Sequence, residues 1–368
     1  MMVYDKPATY NDMRAFENAC KLGHLDVVKW LHEIYPEIIN EESFRLACEY
    51  GHLDVAKWLL ENKPAINISS KDEYAFREAC RNGHLNVAKW LLEIKPNIDV
   101  SASMEYAFRC SCGNGKLDVA KWLLEIKPTI DISAYYESAF GCSCENGHFD
   151  VAKWLLEIKP NIDISAGEEY AFRFACFNGH LDIAKWLLQN KPKINISARN
   201  EDAFIFACGR GHLNVAKWLL QIKPKINISA QTERAFIWAC ENGYLETVHW
   251  LFKIKPRINI SADEDSAFVF ACHNDHLDLA KWLIKMKPDI DVSVCDEEVF
   301  IKACIDGRYD MVKWLLQINP SFAENEEAFR DACTYEHLNI AELLVSLKPD
   351  KYLIIRVESD NSIDYEIL

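Results

Sequence analysis

The residues of this 368-residue chain that could do chemistry are its fourteen cysteines, eleven histidines and four Asn-Ile-Ser triplets. Fourteen thiols invite disulfides or zinc. Eleven of them, from Cys20 and Cys48 through Cys304 and Cys333, occupy one recurring slot. If that slot lies on helices stacked roughly 8–10 Å apart, it exceeds the roughly 7 Å Cα limit for a disulfide. Buried thiols acting as small hydrophobes are the expected reading. Cys110-x-Cys112 and Cys142-x-Cys144 look like paired metal hooks. Residues two apart on a helix do not share a face, and no histidine or third pair completes a tetrahedral set. No metal is expected.

The histidines also form a slot. His24, His52, His84, His148, His180, His212, His276 and His337 each stand in a Gly-His-like turn, and Lys116, Tyr244 and Arg308 replace them in other copies. A ligand or general base does not tolerate that exchange, whereas a loop-bridging hydrogen bond does. The triplets at Asn67, Asn195, Asn227 and Asn259 match a glycosylation sequon, yet Asp99, Asp131 or Asp163 fills the same slot elsewhere. An Asn/Asp exchange points to a turn. Phosphate-cradling glycine loops, nucleophile elbows and carboxylate pairs are missing too. No catalytic residue, no cofactor and no enzyme activity are expected.

The elements that position these residues are repeats. Trp30, Trp58, Trp90, Trp122, Trp154, Trp186, Trp218, Trp250, Trp282 and Trp314 mark them: the first step is 28 residues and every later one is 32, with Leu343 in the slot of a decayed eleventh copy. The units run about 13–40, 41–68, then in 32-residue steps to about 320, and finally 321–349, so residues 1–349 read as one continuous array. In the fourth copy, "MEYAFRCSCGNG" reads as a helix closed at Gly115, because glycine takes the left-handed conformation at little steric cost. A second helix, "KLDVAKWLLEI", follows, with Asp118 at the positive end of its dipole. Pro128 stops it. "TIDISA" is short and extended, and Ser133 is placed to cap the next helix.

One such pair cannot bury its own apolar stripe, so neighbours must stack into an all-α solenoid. The segment "YAFREACRNGHLNVAKWLLEIKPNID" resembles the ankyrin repeat at Phe76, Ala79, Gly83, His84, Leu85, Val87, Leu91, Leu92 and Ile98. That resemblance implies an ankyrin-type helix-turn-helix solenoid of about eleven repeats. Tyr74-Ala75 replaces the family's threonine-proline, the unit is 32 residues instead of 33, and the glycine at the hairpin tip is missing. β-Hairpin fingers are therefore expected to be reduced or absent. The wording "AKWLLEIKP" is most similar to the ankyrin arrays encoded by giant DNA viruses of amoebae, the mimivirus-like group.

The tryptophans fall at the flank of the apolar stripe and are read as a packing ridge. Aromatic ladders also serve nucleic acid, but a net charge of −15 and a pI near 5.2 oppose phosphate binding. No segment approaches the roughly 18 apolar residues of a membrane span. The start lacks the apolar core of a signal peptide. A monomeric, intracellular protein that binds neither nucleic acid nor membrane is expected.

Comparison of the copies separates scaffold from surface. The second helix is nearly constant, and the first varies on one side, at the slots of Tyr106, Arg109, Cys110 and Gly113. Arg45, Arg77, Arg109 and Arg173 share a slot that holds Ile205, Ile237, Val269 and Ile301 later, beside Phe174, Phe206, Trp238 and Phe270. A constant scaffold with a variable face is the layout of a protein-binding module. The candidate contact residues are Arg77, Tyr106, Arg109, Tyr135, Tyr136, Tyr170, Arg173, Phe177, Ile205, Ile237 and Trp238, tyrosine offering rigid contact area at low entropy cost. Two alternatives stay open: the aromatics pack between first helices, and the protein is a structural, virion-associated or decoy protein with no dedicated partner. Residues 350–368, "KYLIIRVE", "SDNS" and "IDYEIL", read as a β-hairpin capping the last repeat.

Overall fold

Eleven helix pairs follow one another in a computed structural model that describes residues 8–290, 297–357 and 363–368. Each pair is built from the same local rules. In the fourth, the first helix is Ala102–Gly113 and the second Leu117–Ile126, with Gly115 between them at φ +71°. Asp275 and Glu336 fill that slot in two repeats and keep its left-handed conformation, at φ +64° and +65°. Glycine suits the slot for a second reason: a Cβ on Gly23 would lie 2.3 Å from the His52 ring of the next repeat.

Phe108, Ser111 and Cys112 are fully buried, as the spacing of the inward face requires. Val119, Ala120 and Leu123 of the second helix and Ile130 of the following loop close the same core. Tryptophans of the ladder lean on the first-helix phenylalanine of the preceding repeat: Phe44–Trp90, Phe76–Trp122 and Phe108–Trp154 have centroids 6.3 Å apart. The packing-ridge reading of the ladder rests on this contact. First helices lie side by side within each of two compact units, residues 1–195 and 196–368.

The only strands among the described residues are β1 (Tyr352–Val357) and β2 (Ile363–Ile367), paired antiparallel. The hairpin is present as expected; its "SDNS" turn lies outside the described residues. Tyr352 is fully buried, stacked on Phe329 of the last repeat at 4.3 Å. In place of β-hairpin fingers, seven repeats enter their first helix through a left-handed turn. Ser103, Met104 and Glu105 have φ +55°, +57° and +60°, and Tyr135, Tyr136 and Glu137 repeat the geometry.

Ser133 departs from its expected role. It makes no side-chain cap bond to its helix; its hydroxyl donates to Glu137 at 2.6 Å instead. The left-handed turn carries the helix N-terminus away, and the nearest acceptor is that carboxylate.

Candidate functional site

A left-handed turn of ordinary residues is costly, roughly 1–2 kcal/mol per residue, so something must hold it. The clamp is the third residue of the turn. Glu169 accepts the Ser165 hydroxyl from its own loop and the backbone N–H of Asn195 from the next loop at 3.1 Å. Glu105, Glu137, Glu201 and Glu233 make the matching backbone bonds to Asp131, Asp163, Asn227 and Asn259. A lysine before the proline completes it: Lys255 Nζ lies 3.0 Å from Glu233, and Lys95 and Lys159 donate to Ser69 and Ser133. Charge-assisted bonds to a buried carboxylate are the strong kind.

The Asn/Asp slot belongs to the same device. Asn67 Oδ1 accepts the Ser69 N–H at 3.2 Å, and Asp99 Oδ1 accepts that of Ser101 at 3.0 Å. Both side chains offer the one oxygen this Asx turn needs, which explains their exchange.

The clamp leaves two residues per repeat at the tip. Lys71-Asp72, Ser103-Met104, Tyr135-Tyr136, Gly167-Glu168, Arg199-Asn200, Gln231-Thr232 and Asp263-Glu264 are all exposed. Tyr136 reaches 85% exposure and Met104 69%. Their chemistry changes from copy to copy while the residue beneath stays acidic, glutamate in six copies and Asp265 in the seventh. Tyr135 and Tyr136 are the candidate contact residues that stand here.

The other candidates stand in the seams between first helices. Tyr106 donates to Glu78 of the preceding repeat at 2.9 Å, and the Arg77 guanidinium lies 4.8 Å over its ring. Arg109 lies 4.8 Å over Tyr135. Tyr170 donates to Glu145 and stacks on Phe174, which in turn meets Phe177 at 5.8 Å. Trp238 meets Phe206 at 5.7 Å and fits over Gly209, where a Cβ would lie 2.7 Å from it. Arg173, Ile205 and Ile237 are 3%, 2% and 1% exposed. Those three face inward, because each first helix turns this side to its neighbour and not to solvent. The alternative of packing between first helices is the one these contacts match.

The histidine slot also bridges repeats. His52 Nε2 donates to Lys21 O at 3.0 Å, and His337 Nε2 to Ile305 O at 2.7 Å. Arg308 reaches back the same way, to His273 O. An asparagine slot that the sequence reading passed over does likewise: Asn82 donates to Glu49 O at 2.9 Å and Asn178 to Glu145 O at 2.8 Å. Its signal was the Asn-Gly pair that recurs at Asn82, Asn114, Asn146, Asn178 and Asn242. The slot cysteines are buried, and burial pushes thiols of the slot up, Cys20 to about 12 and Cys48 higher. Among the described residues no group of His, Cys, Asp or Glu is arranged to hold a metal ion, and no helix is long and apolar enough to cross a membrane.

The family model for ankyrin repeats (three copies) matches residues 16–104, 79–167, 104–200, 172–263 and 268–354. The chain belongs to the ankyrin-repeat family. Ankyrin repeats are generic protein-interaction modules. Among curated proteins, none matches the chain in sequence. Among solved structures it is similar to the ankyrin repeat domain of human ASB11, with 19% identity and a TM-score of 0.42, over 58% of this chain and 97% of that one. Seven of its described repeats carry the left-handed turn where the family has its hairpin finger.

Proposed function

We propose that this ankyrin array is a protein-recognition module that docks its partner on the exposed tip pairs of the left-handed turns. The resemblance to arrays of giant DNA viruses makes a host or viral protein the class of partner considered. The supporting observation is the contrast within each turn. A buried glutamate clamp recurs, and directly above it two strained residues vary freely and stand in solvent. Strain kept in an exposed, variable position marks a functional surface more often than a structural one. Arg77, Tyr106, Arg109 and Tyr170 support the row from below through the seam contacts. A structural or decoy role would need no such contrast.

Exchange of Tyr135-Tyr136 for the Gly-Glu pair of the next repeat tests this reading. The partner captured from producing cells in stoichiometric amount should be lost while the melting temperature holds. Unchanged capture by a variant with every tip pair exchanged would refute it.

A further inference from the structure

One seam differs from the rest. The slot after the core phenylalanine holds Arg45, Arg77, Arg109, Arg173, Ile205, Ile237, Val269 and Ile301 in other repeats, but Gly141 in the fifth. What arginine does there is explicit. Arg109 Nε donates to Met104 O at 2.6 Å and its NH2 group to Ser103 O at 3.2 Å. Arg173 makes the same pair of bonds to Glu168 O and Gly167 O, at 2.8 and 3.2 Å. Arg77 donates to Lys71 O at 3.0 Å and lies over Tyr106, the first-helix tyrosine of the next repeat. The guanidinium therefore ties down the two carbonyls at the tip of its own left-handed turn and covers an aromatic face.

Gly141 supplies no such group, and a cavity of about 250 Å³ stands beside it, lined among others by Tyr135, Tyr136, Glu137, Cys142 and Tyr170. Its parts match those of the filled seams. Tyr135 and Tyr136 carry the carbonyls equivalent to Ser103 O and Met104 O, and Tyr170 is the counterpart of Tyr106. Glu137 adds a carboxylate oxygen that is buried and has no hydrogen-bond partner among the described residues. Arg109 closes one rim through Ser138 at 3.4 Å, and Asp163 on the other side is paired with Lys191 at 3.2 Å. Pockets for drug-sized molecules span roughly 300–1,000 Å³, so this one has the size for a side chain.

We infer that the Gly141 cavity receives the guanidinium of an arginine from the partner protein, which completes in trans the contacts that Arg109 and Arg173 make in cis. This rests on the protein-recognition reading above and names one anchor for it. A net charge of −15 favours a basic segment. The planar fork suits two adjacent carbonyls and an aromatic face, where an ammonium offers only a point charge.

The test uses the full chain with 3-fluorotyrosine, the signals of Tyr135, Tyr136 and Tyr170 being assigned by Tyr→Phe variants. It is titrated with acetyl-Gly-Arg-Gly-amide and with its lysine, citrulline and leucine counterparts. The arginine peptide should shift Tyr136 and Tyr170 saturably, the lysine peptide should bind about tenfold more weakly, and the other two should do nothing. Gly141→Arg should abolish the response. Because a Cβ at Gly141 would lie 3.0 Å from Tyr170 Cδ1, Glu137→Gln is the second variant, and it should weaken arginine binding while the chain stays folded. Equal binding of the leucine peptide, or no response to arginine, would overturn the inference. Partner capture that survives Gly141→Arg but not the tip exchange would overturn it too, and would leave the recognition module standing.

Discussion

Glu169 holds two loops at once: its carboxylate takes the Ser165 hydroxyl of its own repeat and the Asn195 amide of the next. The left-handed turn at Gly167 and Glu168 is built on that carboxylate. Removing it takes that acceptor from a part-buried hydroxyl and a part-buried amide, and an unsatisfied group costs about 1–3 kcal/mol when buried. Glu169→Ala should therefore lower stability by roughly 2 kcal/mol and Glu169→Gln by less, since glutamine keeps one acceptor oxygen. Denaturant unfolding measures both. Equal stability of the three proteins would show that the clamp does not hold the turn.

Trp238 separates seam from surface. It is only partly buried, so Trp238→Ala should cost about 2 kcal/mol, below the roughly 3–5 of a fully buried aromatic. Partner binding should fall only as far as the fold does. A variant that melts normally and loses its partner would move Trp238 into the binding surface.

The thiols give a pH signature. Cys48, Cys80, Cys144, Cys176 and Cys208 are held above the ordinary value of 9.0 because burial disfavours the thiolate. A group raised in the folded state contributes stability below its unfolded value, and that contribution is lost as pH rises above it. Stability should thus be flat from neutral pH to about 9 and fall above it, and Cys80→Ala should reduce the slope. Of the described cysteines, only the half-buried Cys110 and Cys142 should react with a thiol reagent before unfolding. Rapid native labelling of Cys48 or Cys80 would contradict this.

The terminal hairpin should act as a cap. Deleting the residues after Pro349 removes Tyr352 from Phe329 and exposes the apolar end of the last repeat. Lower solubility and earlier melting are expected, and Tyr352→Ala alone should cost roughly 3 kcal/mol. Unchanged melting of both proteins would rule out the cap.

The fold was legible because its determinants are local and repeated. Gly115, Pro128 and the Val119-Trp122-Leu123 stripe each fix one feature of a 32-residue unit, and ten copies average out accidents. The tips were less legible. Three consecutive left-handed residues such as Ser103, Met104 and Glu105 go against intrinsic preference, and the bond that compensates comes from Asp131 in the next loop, 26 residues on. Variation on the first helix pointed to a face, but helical periodicity alone does not say whether that face meets solvent or a neighbour. Ile205 and Ile237 met a neighbour. The exposure of Tyr135 and Tyr136 was legible for a simpler reason: two tyrosines in a loop have no core to fill.

Site-specific photocrosslinking tests the tip-row account most directly. A benzoylphenylalanine would be placed at Met104, Tyr136 or Arg199 on the tips, and at Ile126 on the exposed side of a second helix, 39% accessible. One partner protein should crosslink from the tip positions and not from Ile126. The same yield from Ile126, or crosslinks from Ile126 alone, would contradict it.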